Sequence, residues 1–193
     1  MKIGVLALQG AFAEHEKVLE QLGAECIELR QARDLAEPYD ALVLPGGEST
    51  VQGKLLKELG MFDIMKSQIE NGMPVLATCA GAILLAETID GQMKGQPEQY
   101  FGTIPMCIKR NAYGRQLGSF HTEAPVAGIG TVPMTFIRAP YIASVEDGVE
   151  VLAVVEERIV GVKYKKQMAF SFHPELDPDV RIHKAFLAMI KKV

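Results

Sequence analysis

The 193-residue sequence has no CxxC pair; its three cysteines, Cys26, Cys79 and Cys107, are odd in number and far apart. That spacing argues against a zinc ribbon or a thioredoxin-like redox site. No apolar run approaches the roughly 20 residues that span a bilayer. The chain opens on an apolar strand, Lys2 to Leu8, rather than on the layout of a signal peptide. A reduced, cytoplasmic protein without a membrane segment is expected. Basic charge is not in excess either: the formal net charge is −4, which gives no reason to expect nucleic acid as a partner. Neither GxGxxG nor Gly-Lys-Ser/Thr occurs, so a dinucleotide fingerprint and a Walker loop are both missing. Repeats, low-complexity stretches and a linker are also absent, so residues 1–193 are expected to form one domain.

What is present is a 48% hydrophobic chain with an α/β rhythm. Ile3–Leu8, Cys26–Leu29, Asp40–Leu44 and Pro74–Ala77 read as short buried strands. Helices are expected at Ala11–Leu22, Ser49–Leu59, Phe62–Glu70 and Ala80–Thr88. Continuous apolar strands alternating with helices predict a doubly wound, mostly parallel sheet in a three-layer, flavodoxin-like α/β sandwich. From Phe101 onward the segments shorten: Thr103–Ile108, Leu117–Phe120, Met134–Ile137, Glu150–Val155, Ile159–Tyr164 and Met168–Phe172. These read as antiparallel strands added to the same sheet, with Asp179–Lys191 as a closing helix. Gln92–Gln99 is the most polar loop.

Cys79 sits between a strand and a helix that are only two or three residues apart, flanked by Ala77, Ala80 and Gly81. Small neighbours at so sharp a corner are the pattern of a nucleophile elbow, with cysteine as the nucleophile. The corner also sets the sulfur at a helix N-terminus, where unpaired N–H groups favour an anion. A buried structural cysteine is the plain alternative. Pro45-Gly46-Gly47-Glu48-Ser49 follows the third strand at its carboxyl end. In open α/β sheets ligands bind at that edge, and a Gly-Gly loop can turn N–H groups toward an oxyanion; a simple turn with Ser49 as helix cap is the alternative. In Ser171-Phe172-His173-Pro174-Glu175, continued extension would put the imidazole and the carboxylate on one side. A carboxylate there orients the ring and stabilises its charged form. The H-x-E also occurs in zinc deaminases, but their P-C-x-x-C is missing. His15 and His183 read as helix-surface residues. Arg110 and Arg138 each follow a strand, and a guanidinium suits a carboxylate. Nucleophile, base with orienter, and oxyanion loop together imply acyl transfer through a thioester.

These stretches resemble the class I glutamine amidotransferases. Within them the chain is most similar to the branch serving pyridoxal 5′-phosphate (vitamin B6) synthesis. The resemblance rests on residues 4–10, LPGGEST at Leu44–Thr50, TCAG at Thr78–Gly81, Arg110-Asn111 with Tyr113–Gln116, FIRAP at Phe136–Pro140 and SFHPEL at Ser171–Leu176. It implies hydrolysis of L-glutamine to L-glutamate and ammonia, with Cys79 as nucleophile, His173 as base and Glu175 as orienter. It further implies an oxyanion hole from the N–H groups of Gly47 and Ala80. Glutamine would be held by Gly47, Glu48, Ser49, Arg110, Ile137 and Arg138. No cofactor or metal is implied. The implied partner is a (β/α)₈-barrel pyridoxal 5′-phosphate synthase subunit in a large hetero-oligomer, which receives the ammonia through a tunnel. Docking of that partner is expected to switch the glutaminase on, through a Gly46-Gly47 peptide that reorients. Lys109 departs from the family pattern, which often has an acidic residue there, and Ala77 replaces a frequent glycine.

Overall fold

The computed structural model describes residues 1–91, 100–110 and 118–190. In chain order, β1 (Lys2–Leu6), α1 (Phe12–Gln21), β2 (Glu25–Leu29) and β3 (Ala41–Leu44) come first. Next are α2 (Ser49–Glu58), α3 (Phe62–Glu70), β4 (Val75–Thr78) and α4 (Ala80–Leu85). The strands β5 (Ala86–Ile89), β6 (Ile104–Lys109), β7 (Ser119–Val126), β8 (Gly130–Ile137) and β9 (Tyr141–Val145) follow. β10 (Glu150–Val155), β11 (Arg158–Tyr164), β12 (Gln167–Phe170) and α5 (Arg181–Ile190) complete the described chain.

The parallel core runs β2-β1-β3-β4-β12. This is the 2-1-3-4-5 order of the flavodoxin-like sheet, with the last strand taken from far downstream. Beyond β12 the sheet continues antiparallel through β11, β10, β7 and β8, and β9 joins β11 to a β6–β5 pair. The alternation of side chains along each strand sorts the core onto two faces. Leu6, Leu42, Leu44, Val75 and Ala77 pack with Leu56 of α2, Phe62 and Met65 of α3 and the apolar α4. Ile3, Val5, Val43, Leu76 and Phe170 pack with Leu19 of α1 and Ile182 and Phe186 of α5. The result is the expected three layers.

Some local expectations need correction. The helix expected to reach Thr88 ends at Leu85, and Ala86–Ile89 becomes a strand paired in parallel with β6. The segment before β6 closes the helix, with Phe101 N–H donating to the Leu84 carbonyl at 2.6 Å. β2 and β3, between which the sequence marks no helix, are joined through a 3₁₀ turn at Ala32–Ala36. β9 was not anticipated, because only Ile142 in it is buried. The first strand stops at Leu6, and the closing helix begins at Arg181, whose N–H bonds the Asp179 carboxylate at 2.9 Å. Gln92–Gln99, Asn111, Tyr113–Gln116, Leu117 and Lys191 lie outside the described residues.

Candidate active site

The crevice of a 2-1-3-4-5 sheet opens outside the carboxyl ends of β1 and β3, where the strand order reverses. A cleft of about 660 Å³ lies there. Gln9, Gly10 and Ala11 line it from the end of β1, and Gly46 to Thr50 from the end of β3. Cys79 reaches it from β4, His173 from beyond β12, Ile137 and Arg138 from the end of β8, and Arg110 from beyond β6. Every residue assigned above to catalysis or glutamine binding therefore lines one cleft, apart from Glu175 and Ala80. Glu175 lies behind His173, and Ala80 is buried as the first residue of α4.

Cys79 makes the corner that the sequence predicts. Its backbone sits at φ 47°, ψ −103°, an unfavourable conformation for a side-chain-bearing residue. Two bonds hold it there: its N–H donates to the Phe170 carbonyl at 2.8 Å, and its carbonyl accepts from Ile83 N–H at 3.2 Å. Strain of this kind costs on the order of 1–3 kcal/mol and persists where the surroundings over-determine it. The side chain is 7% exposed, so the sulfur meets the cleft rather than being sealed in the core.

His173 and Glu175 do pair, but not by continued extension. β12 ends at Phe170, and His173 caps a 3₁₀ turn at Pro174–Leu176. The turn brings Glu175 back so that His173 Nδ1–H donates to Glu175 Oε1 at 2.7 Å. Burial pulls the His173 imidazole down, but hydrogen bonds to Cys79 and Glu175 outweigh it and push it up to about 10. Burial likewise opposes charge on Glu175, and the neighbouring His15 and His173 imidazoles overcome that and hold its carboxyl below the usual range.

The Gly46-Gly47 loop is fitted closely to these groups. A methyl added at Gly46 would stand 2.3 Å from His173 Cε1 and 3.3 Å from Cys79 Cβ. Gly46 N–H donates to Thr78 Oγ1 at 3.1 Å, and its carbonyl accepts from Ala11 N–H at 3.1 Å. Gln9 Oε1 accepts from Glu48 N–H at 2.7 Å, while Gln52 Nε2 donates to the Gln9 carbonyl at 2.9 Å. At the rim Arg138 Nη2 donates to Glu48 Oε1 at 3.3 Å, and Arg110 donates to the Tyr100 hydroxyl at 3.3 Å. Lys109, the departure from the family pattern, pairs with Asp90 at 3.2 Å.

The sequence reading missed a cluster behind Glu175. His15 and His183, expected on helix surfaces, are fully buried. His15 Nδ1 is 3.0 Å from His183 Nε2, and His15 Nε2 is 3.1 Å from Thr78 Oγ1 and 3.3 Å from Glu175 Oε2. Helical spacing carries the missed signal: His15 shares a face with Val18 and Leu19, and His183 with Phe186 and Leu187. Burial drives both imidazoles down from 6.5, His183 to about 3. The unfolded chain then takes up protons below pH 6.5 that the folded chain refuses, so stability falls as the pH drops. The slope is about 1.4 kcal/mol per pH unit for each such histidine. His173 has the opposite sign: its raised value stabilises the fold below 6.5 and that contribution is lost as the pH rises toward about 10. Urea unfolding from pH 5 to pH 9 should therefore show maximal stability near neutrality, and a His183→Leu variant should have a shallower acid slope.

A profile of the SNO glutamine amidotransferase family matches residues 5–192. Pyridoxal 5′-phosphate synthase subunit PdxT of Desulfitobacterium hafniense (strain Y51) is 59% identical over 190 residues, covering 98% of this chain and 94% of that protein. The protein of the same name from Streptococcus pneumoniae (strain D39) is 53% identical over 195 residues, covering 100% and 99%. A solved glutamine amidotransferase structure matches with TM-score 0.90 at 43% identity, over 97% of this chain and 98% of that one. The structure of PurLQS from Thermotoga maritima, at TM-score 0.69 and 15% identity over 98% and 99% of the two chains, shares the fold. With likeness running from the first strand to the last helix, the chain belongs to the SNO glutamine amidotransferase family.

Proposed function

We propose that residues 1–193 form the glutaminase subunit of a cytoplasmic pyridoxal 5′-phosphate synthase, hydrolysing L-glutamine and passing ammonia to a (β/α)₈-barrel synthase subunit in a hetero-oligomer. The observation that carries this reading is the convergence of Cys79, the His173–Glu175 pair and the Gly46-Gly47 loop on one cleft. Glutamine brings an α-carboxylate and an α-ammonium. Arg138 suits the first and Glu48 the second, and in the structure these two exposed side chains pair with each other across the rim. Ser49, Ile137 and Arg110 complete the walls, which direct the side-chain amide toward Cys79.

The sulfur of Cys79, its proton already held on the charged His173 imidazole, attacks the amide carbon. The developing oxyanion takes hydrogen bonds from Gly47 and Ala80 N–H. His173 gives the proton to the departing nitrogen, ammonia leaves, and a thioester remains. Water, deprotonated by His173, then releases glutamate. Glu175 keeps Nδ1 protonated so that Nε2 faces the reacting atoms.

Reorienting the Gly46–Gly47 peptide requires breaking the Ala11 N–H bond to the Gly46 carbonyl. A partner that bears on the start of α1 therefore has a direct route to the hole. Ammonia release from glutamine should be slow for the free subunit and rise at least about tenfold when the synthase subunit is added, a change of ~1.4 kcal/mol in the barrier. Equal rates would remove the activation step. No ammonia under either condition would remove the glutaminase reading.

A further inference from the structure

Glu175 Oε2 is buried, and among the described residues no hydrogen bond completes it. The polar atom facing it is His15 Nε2, 3.3 Å away. An ionised carboxylate accepts only, so a favourable contact requires the proton on His15 Nε2. His15 Nδ1 is then a bare acceptor, and the group beside it is His183 Nε2 at 3.0 Å. His183 must therefore carry its proton on Nε2 as well. Its Nδ1 is buried and, among the described residues, unpartnered as a lone pair, which is cheaper to bury than an N–H. The reverse assignment would set a lone pair of His15 against the carboxylate and leave a buried N–H of His183 without an acceptor.

Resting on the glutaminase reading, we propose that His15 is a positioning residue for the reaction. It holds Glu175 from behind through a directed chain, His183 Nε2–H to His15 Nδ1 and the His15 Nε2–H dipole set 3.3 Å from Glu175 Oε2, with Glu175 in turn fixing His173. The same Nε2 hydrogen-bonds Thr78 Oγ1 at 3.1 Å, and that hydroxyl oxygen accepts the Gly46 N–H. One buried imidazole thus braces both the triad carboxylate and the strand-end loop that bears the oxyanion site. The ionisable groups acting on His15 are Glu175, His173, His183 and Glu14. Burial outweighs the pull of the two carboxylates, so His15 is neutral and works by its N–H dipole.

The test uses the subunit complexed with its synthase. His15→Leu keeps most of the volume and deletes the donor. It should lower kcat by about 10- to 100-fold, the usual effect of losing a supporting hydrogen-bond partner, while KM for glutamine moves little. Without its donor Glu175 protonates more readily, so the acid limb of the pH–rate profile should move to higher pH. His15→Gln, which restores an N–H near the Nε2 position, should recover most of kcat and return the acid limb. A folded His15→Leu enzyme with wild-type kcat and acid limb would overturn the proposal, as would a His15→Gln enzyme no better than His15→Leu. Nitrogen NMR of the wild-type imidazoles decides independently of whether the variants fold. Both His15 and His183 should be neutral Nε2–H tautomers between pH 6 and 8. A proton on His15 Nδ1, or titration of His15 in that range, would also overturn it. An inactive wild-type complex with the expected tautomers would instead count against the glutaminase reading alone.

Discussion

Cys79→Ala is expected to take ammonia release to background even with the synthase subunit present. Deleting the nucleophile of a covalent mechanism costs on the order of 10⁴- to 10⁶-fold in kcat, because the remaining groups have no bond-forming atom to support. The fold should survive. The side chain lost is small and at the cleft wall, and the corner is held by backbone bonds to Phe170 and Ile83 that alanine retains. Alanine relieves none of the strain at φ 47°, so no gain in stability is expected. Glutamine should still bind, since Arg138, Glu48 and Arg110 are untouched, and should still raise the melting temperature. Mass spectrometry should find a glutamyl adduct on the wild type and none on the variant. The His173 ring should also titrate lower in the variant, because its hydrogen bond to Cys79 is one of the two that raise it. Residual turnover above about one per cent of wild type would move the nucleophile elsewhere.

Gly81→Ala should be the most damaging single methyl at the elbow. Its Cβ would lie 1.9 Å from the Leu44 carbonyl oxygen, 2.7 Å from that carbonyl carbon and 2.9 Å from Leu44 Cβ. Two of these atoms are backbone of β3, so no rotamer change relieves the clash. Either α4 lifts off the sheet or the end of β3 moves. Overpacking costs about 1–3 kcal/mol where side chains can give way, and the upper end or beyond applies here. Activity should fall further than stability, because Leu44 leads directly into Pro45-Gly46-Gly47. A misplacement of about 1 Å at that loop is enough for roughly a hundredfold in rate. Urea midpoints and glutaminase rates on one preparation separate the two effects. A variant with unchanged midpoint and rate would mean that helix and strand do not meet at the observed distance.

The parallel core was legible because strands covered on both faces are apolar without interruption, as at Ala41–Leu44 and Val75–Ala77. The elbow was legible because small residues crowd around Cys79, and the crowding at Gly81 is the physical reason for one of them. The pairing of His173 with Glu175 was anticipated from a two-residue spacing but is achieved by a 3₁₀ turn, since Pro174 starts a turn more readily than it extends a strand. His15 and His183 read as surface residues by their polarity, yet their positions on α1 and α5 bury them. Each lies one turn from core residues on its own helix, and a carboxylate from a third segment makes burial tolerable. No local pattern reports that segment. β9 was illegible for the opposite reason: it is an extended segment with little burial, defined by its neighbours β6 and β11.

β12 seats itself against β4 although some ninety residues separate them, and it carries His173 just past its end. A nascent chain that has not yet released β12 therefore has a bare β4 edge and a thiol-bearing corner that lacks its bond to the Phe170 carbonyl. Until the closing stretch has emerged and zipped in, the His173 imidazole is not in place beside the sulfur. If the proposed roles of Cys79 and His173 hold, an unfinished polypeptide lacks the pair that would release ammonia.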